Sequence, residues 1–110
     1  MATTTFSGPV VSTNGFVVGS GATVSKLLSA SATLDFASIS AAAQADLTIT
    51  VTDAAAGDEV ILALPAAPAA GIVFNAFVSA ANTVTIRASN ISASPVNPAS
   101  ATYGVIVLSA

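Results

Sequence analysis

Few side chains in this 110-residue chain could do acid–base, nucleophilic or metal chemistry. The sequence has no histidine and no cysteine, which excludes His- and Cys-based catalytic sets and leaves zinc without its usual nitrogen and sulfur ligands. A Ser–Lys pair would have to use Lys26, the one lysine, which we interpret as a surface or interface residue. The sequence therefore predicts no catalytic residue, no metal site and no cofactor, and we expect that the protein is not an enzyme.

Three carboxylates, those of Asp53, Asp58 and Glu59, gather around one predicted turn. Oxygen ligands in a loop are what Ca²⁺ selects, and paired carboxylates can also hydrolyse glycosides. The turn lacks the regular alternation of an EF-hand loop, and the chain has no tryptophan and a single tyrosine to stack on a sugar. We interpret it as a solvated turn in which Asp and Gly favour the backbone conformation, with a Ca²⁺ site as the alternative.

Two other features have the residue types of a binding site. The forked guanidinium of Arg87 suits bidentate pairing with a carboxylate, which could be Asp58, Asp35 or a residue of another subunit. The alternative is an exposed arginine. The glycines of Gly19–Gly21 do not form a phosphate loop, because no lysine follows at the required spacing, and we interpret them as a corner.

Charge and hydropathy argue against two classes of partner. A net charge of −3 gives no cluster of cations for phosphate binding, so we predict no nucleic-acid partner. Residues 60–86 carry no charge, yet Pro65, Pro68 and Gly71 interrupt them, so we predict no membrane span. The first ten residues lack the basic and apolar regions of a secretory signal, and we expect synthesis in the cytoplasm.

The clearest strand signal lies in residues 46–64. Leu47, Ile49 and Val51 alternate with threonines, which predicts a half-buried strand whose threonines face solvent or a partner. After turn residues at 53–58, a second apolar run, Val60–Leu64, ends at a proline. We predict that the two runs form a central β-hairpin, with Val60–Leu64 buried on both faces.

The rest of the chain predicts about eight short strands in all. Residues 1–12 form an N-terminal arm, and residues 13–110 form a single domain. Within the domain we expect these elements: a tight turn at Asn14–Gly15, extended residues 16–18, strands at 22–28 and 32–36, a loop or single helical turn at 37–45, a hairpin of 71–80 with 83–88 around Ala81–Asn82, a surface loop at 89–98 and a last strand at 102–108.

These elements predict an all-β fold, an antiparallel two-sheet sandwich of jelly-roll type, with an immunoglobulin-like sandwich as the second choice. Charged residues make up only 6% of the chain, against about 25% in an ordinary soluble domain. A surface with so few charges is typical of proteins that bury part of their exterior, so we expect contact with copies of the same chain or with a larger assembly.

The order of several segments resembles small capsid decoration (cement) proteins and related head or fibre proteins of tailed bacteriophages. The resemblance runs from about Phe6 to Leu108 and rests on the segments TLDFASISAAAQADLTITV, GDEVILALP, FVSAANTVTIRASNIS and VNPASATYGVIV. It implies a homotrimer on the outer capsid surface of a virion, where the major capsid protein is the partner and the shell is stabilised.

The expected interface combines arm residues with positions that the resemblance shares. It comprises Phe6, Pro9, Val10, Asp58, Arg87 and Asn90. The alternative function is a phage fibre or spike domain that binds a receptor or carbohydrate, for which the candidate contact residues are Asn90, Asn97 and Tyr103.

Overall fold

The computed structural model describes residues 3–110 and is built from β-strands. Met1 and Ala2, which belong to the predicted arm, lie outside the described residues. Eight strands follow one another along the chain: β1 (Phe16–Val17), β2 (Thr23–Val24), β3 (Lys26–Leu34), β4 (Gln44–Thr50), β5 (Glu59–Ala63), β6 (Ile72–Ala80), β7 (Thr83–Asn90) and β8 (Ala101–Ser109). Within residues 3–110 there is no helix whose length and apolar character would let it span a membrane.

Six of these strands form two antiparallel sheets that pack face to face in a sandwich-like arrangement. The first sheet has the order β3-β8-β5 and the second sheet has the order β4-β7-β6. The short strands β1 and β2 pair with each other as a separate ribbon that precedes the first sheet. The predicted all-β class and the predicted count of about eight strands are therefore confirmed.

The core lies between the central strands of the two sheets, β7 and β8. Alternate residues of a strand point to the same face, and here the inward-facing residues are aliphatic or aromatic. From β7 and β8 the side chains buried in this layer are Val84, Ile86, Ala88, Tyr103, Val105 and Val107. Flanking strands and loops add Leu34, Phe36, Ile39, Ile49, Val51, Ala54 and Val78.

Three aromatic rings close one end of this core. Phe36 and Tyr103 meet edge to face with ring centroids 5.9 Å apart, and Phe74 lies 5.6 Å from Tyr103. Such tilted pairs suit the quadrupoles of aromatic rings. Burial raises the pKa of the Tyr103 phenol, because the charged form is disfavoured away from water.

The predicted hairpin around Ala81–Asn82 is confirmed, and it is tied to a neighbouring loop. β6 pairs with β7 across these two residues, and Asn82 adopts a left-handed conformation with φ of 61° that asparagine tolerates better than most residues. The Asn82 side chain accepts a hydrogen bond from the backbone N–H of Asp53 at 2.8 Å, so this turn supports the loop that follows β4.

The central hairpin predicted from residues 46–64 is wrong. β4 pairs with β7 in the second sheet, whereas β5 pairs with β8 in the first, so residues 51–58 cross from one sheet to the other. β4 and β5 each have one apolar face that points into the core. Because the two strands lie in opposite sheets, these apolar faces pack toward each other across the core. Turn residues at 53–58 fix a change of direction but not the sheet to which the chain returns.

Three local predictions also need correction. Val60–Leu64 is not buried on both faces, because Ile61 on the outer face of the first sheet is 56% exposed and Leu64, just after β5, is 42% exposed. The strands predicted at 22–28 and 32–36 are largely one strand, β3, since small alternating residues at 29–32 extend without a break. The turn near Asn14–Gly15 does not join two strands; β1 pairs instead with β2 across Gly19–Gly21.

A substitution in the core measures how much the sandwich depends on the layer between its sheets. Ile86 is fully buried at the centre of β7, and Ile86→Ala should lower the free energy of unfolding by about 2–5 kcal/mol, because it removes buried methyl groups and leaves a cavity. Urea unfolding followed by circular dichroism measures the change. The matched control is Ile91→Ala, at a 73% exposed position, which should change stability by less than about 0.5 kcal/mol. Equal effects of the two variants would contradict this core.

Candidate assembly surface

The largest exposed apolar side chains cluster in the arm and the ribbon. In the arm, Phe6 is 68% and Val11 is 87% exposed, and Val10 lies between them in sequence with a similar exposure. In and after β1, Phe16, Val17 and Val18 are exposed as well. Residues 3–25 contain no charged side chain. This part of the chain therefore presents a neutral apolar surface to its surroundings.

A short turn fixes the direction in which the arm leaves the ribbon. Gly15 has a φ of 96°, and a Cβ atom at this position would lie 2.7 Å from Cγ2 of Thr23 and 2.8 Å from the carbonyl oxygen of Val24. Only glycine fits that conformation and that contact. The Ser12 hydroxyl donates a hydrogen bond to the Gly15 carbonyl and closes the turn.

The arm and the ribbon extend beyond the sandwich. The described chain measures 58 × 28 × 23 Å, whereas a nine-residue strand spans only about 30 Å. Its radius of gyration is 17.5 Å, against about 13 Å for a compact chain of this length. Since residues 26–110 make up the two sheets and their connections, we attribute the extra length to the segment that precedes them.

The outer face of the first sheet is also apolar. Its cross-strand rows place Leu27 beside Leu108, and Ile106 between Ser29 and Ile61. The next row, Ser31, Gly104 and Ala63, consists of small residues and borders a shallow depression. The one charged side chain on this face is Glu59. A shallow groove joins this face to the ribbon, and its lining combines apolar Val10, Phe16, Val24 and Leu27 with Ser12, Gly15, Ser25 and Lys26. The two apolar regions are therefore continuous.

The outer face of the second sheet differs because it is polar. Arg87 of β7 lies directly opposite Asp46 of β4, and its Nε and a terminal nitrogen each donate to Asp46 at 2.9 Å. Its guanidinium also lies 5.0 Å from the centre of the Phe77 ring, as in a cation–π contact. Hydrogen bonding to Arg87 lowers the pKa of Asp46, and the same contact raises the pKa of Arg87. The predicted pairing of Arg87 with Asp58 or Asp35 is wrong; its partner is its cross-strand neighbour.

Asp58 holds the loop that crosses between the sheets. Its Oδ2 accepts a hydrogen bond from the backbone N–H of Ala55 at 3.0 Å and lies 3.2 Å from Nζ of Lys26. Lys26 Nζ also donates to the carbonyl of Asp53 at 2.9 Å. The hydrogen bond from Ala55, aided by Lys26, lowers the pKa of Asp58. Lys26 is therefore a link between the start of β3 and this loop.

The predicted acidic turn does not converge on one point. Asp58 faces Lys26, and Glu59 lies on the outer face of the first sheet. Across residues 3–110, no group of three or more acidic side chains is placed to hold a metal ion. The geometry thus offers no support for the calcium alternative.

Asn90 is 2% exposed and joins loops at one end of the sandwich. Its side-chain nitrogen donates to the carbonyls of Ile39 and Ser94, each at 2.9 Å, and its oxygen accepts from the N–H and hydroxyl of Ser92. Ile39 and Val96 also form an isolated antiparallel bridge. All the contacts of this amide are internal, so the residue organises the loops at 37–43 and 91–98.

The six predicted interface residues do not form one patch. Phe6, Pro9 and Val10 share the exposed arm, Asp58 lies before β5, Arg87 lies on the opposite outer face, and Asn90 is inside the fold. Their contact with another subunit stays a prediction. Sequence reasoning missed the apolar outer face of the first sheet, although alternation in KLLSASATL and EVILA contains the signal.

Comparisons of this chain with protein-family models, with curated proteins and with solved structures find no match.

The pKa of Asp58 generates a prediction about acid stability. Because this pKa is lower in the folded protein than in the unfolded chain, its contribution to stability is complete above the unfolded value of about 3.9 and is lost as the pH falls through the folded value. Asp58→Asn should therefore lower stability at pH 7 and make the loss of stability below about pH 4 shallower. Thermal unfolding at several pH values measures both effects. Glu59→Gln is the neighbouring control, and an unchanged acid profile in Asp58→Asn would contradict the assignment.

The burial of Asn90 generates a second prediction. Asn90→Ala removes the hydrogen bonds from the amide to the carbonyls of Ile39 and Ser94 and those that it accepts from Ser92, so it should lower the free energy of unfolding by about 2–4 kcal/mol. The control is Asn75→Ala, an exposed asparagine on the outer face of β6, which should stay close to wild type. A variant that unfolds like wild type would show that Asn90 is not structural.

Proposed function

We propose that this chain is a structural assembly protein, namely a capsid decoration (cement) protein that forms a homotrimer on the outer surface of a virion and stabilises the shell by contact with the major capsid protein. The observation that carries the proposal is the neutral, apolar arm and ribbon that extend from a folded sandwich. Exposed phenylalanines and valines on a projecting segment mark a surface that another molecule covers, because leaving apolar side chains in water is unfavourable.

The exposed area indicates which surfaces must take part. Phe6 and Phe16 are 68% and 61% exposed, and together they offer about 200–300 Å² of aromatic surface. A stable interface takes about 800 Å² from each partner. The area of the two phenylalanines is therefore too small for a stable interface. We propose that the valines of the arm and the outer face of the first sheet supply the rest of the area.

The distribution of charge supports the same function. Both cations of the chain pair with carboxylates of the same chain, Lys26 with Asp58 and Arg87 with Asp46. Neither cation contributes to a basic surface that would attract phosphates or an acidic polymer. The apolar surface is therefore the main feature through which this molecule can recognise another.

The fibre or spike alternative has less support. It needs aromatic and amide side chains on an exposed loop, and of its three candidate residues Tyr103 and Asn90 are 1% and 2% exposed. Asn97 is the exposed member of the set. One amide without an aromatic neighbour is a weak sugar platform, so we keep the decoration function as the conclusion.

The jelly-roll arrangement is the finer part of the proposal. A jelly roll divides eight strands between two sheets, whereas each sheet here has three strands and the ribbon stands apart. One additional strand would give the first sheet four strands. A fourth strand added to the first sheet on assembly would bring the arrangement closer to a jelly roll.

The proposal predicts that the protein adds to undecorated capsids at regular lattice positions and that the arm is required. We expect Phe6→Ser with Val10→Ser to abolish added density in cryo-electron microscopy of mixed samples, because the buried apolar contact is lost. The control is Val73→Ser, which replaces a 52% exposed valine on the outer face of the second sheet. This variant should decorate capsids as wild type does.

Capsid binding and self-association are separate measurements. Light scattering on the purified protein should give the mass of a trimer. Capsids that show no added density with wild-type protein would overturn the decoration function, and a monomer at micromolar concentration would overturn the trimer.

A further inference from the structure

We propose that the arm of one copy adds as an extra strand to the outer edge of β3 in a neighbouring copy. The occupant of this edge is thus a second copy of the same chain, through residues 3–12. This proposal depends on the proposed function only because it requires copies of the chain to associate. It adds which element of one copy contacts the other.

The four edge strands differ in how well they are protected from pairing. β5 has only five residues, β4 carries the Asp46–Arg87 ion pair on its outer face, and the pairing of β6 is irregular between Val78 and Ala80. β3 has nine residues in unbroken register with β8, and it contains no proline, glycine or charge after Lys26. Natural proteins shield long, flat edges by shortening, charging or bending them. Apart from the charge of Lys26 at its first residue, β3 has none of these protective features.

The arm has the properties of a strand that such an edge accepts. Residues 3–12 carry no charge, belong to no strand in the described chain, and at about 3.4 Å per residue match the length of β3. Pro9 lacks an N–H group, which suits an outermost strand whose other side faces solvent. An uncharged arm also meets an uncharged edge, so no charge is desolvated when they pair.

Strand addition also accounts for an exposed part of the outer face. Phe6 and Val10 are four residues apart, so in an extended arm both side chains lie on the same face. On β3 the outer face presents Leu27 and then Ser29 and Ser31, whose small side chains border a shallow depression. An aromatic ring from the arm can rest above these serines and cover Leu27, which is 66% exposed.

The arm of the same chain reaches its own β3 only near the start of that strand, where Val10 and Ser12 line a groove with Lys26 and Leu27. The turn at Ser12–Gly15 changes the chain direction just before the ribbon, and glycine is required there by contact with Thr23 and Val24. Residues 3–9 belong to no strand and do not pair with β3 in the described chain. Donation between copies uses this direction without rebuilding the turn.

Disulfide trapping between two populations tests the proposal. The chain has no cysteine, so Val10→Cys in one population and Ser29→Cys, Ser31→Cys or Thr33→Cys in the other introduce the only thiols. Residues opposite each other on adjacent strands lie about 4.5–5.5 Å apart, within the range that a disulfide spans. With a size tag on one population, we expect a cross-linked heterodimer with at least one of the β3 variants. Thr48→Cys on the edge strand β4 is the control and should remain at background.

The outcomes separate this proposal from the assembly function. No cross-link to β3 in a protein that light scattering shows to be oligomeric overturns arm donation and leaves the structural function standing. Equal cross-linking to Thr48→Cys overturns the choice of edge. A Val10→Cys, Ser31→Cys double variant that closes a disulfide within one chain at high dilution overturns donation between copies. A monomeric protein overturns both the donation and the trimer.

Discussion

The layer of side chains between β7 and β8 is the constraint on which the rest of the structure depends. Each central strand has a partner on both sides, so these two strands position all four edge strands. Burying a valine or an isoleucine contributes about 1.5–3 kcal/mol, and a chain of this size has room for one such core. Every other feature, including the crossing loops and both outer faces, is fixed by how the sheets are held against this layer.

Because the sheets are held at their centre, the loops that cross between them need separate supports. At one end Lys26, Asp58 and Asn82 hold the loop at 51–58, with the amide of Asn82 accepting from the backbone of Asp53. At the other end the buried amide of Asn90 joins two loops. Polar residues that resemble site residues in sequence thus have structural roles, since a buried or crossing backbone must satisfy its hydrogen bonds.

The sequence predicted the strands better than it predicted their partners. Alternation of Leu47 and Ile49 with threonines determines which residues face inward, and it predicted β4 correctly, but it is silent on which strand lies alongside. The pairing of Arg87 with Asp46 requires the register of β4 on β7, which no local pattern supplies. The arm was predicted from its composition. The apolar outer face of the first sheet was not predicted from the sequence, because Ile61 and Ile106 have the pattern of core residues until the sheet order is known.

The pairing of both cations within the chain has a consequence for the proposed contact between copies. The net charge of −3 then resides on Asp35, Asp53 and Glu59, whereas residues 3–25 and β3 beyond Lys26 carry none. Electrostatic steering therefore has little to act on at the arm, and ionic strength has little influence on a contact made there. Specificity must come from strand register and from the shapes of apolar side chains. In the proposed contact, the regular edge of β3 beside small serines supplies both, which is why β3 suits the arm better than the polar face around Arg87 does.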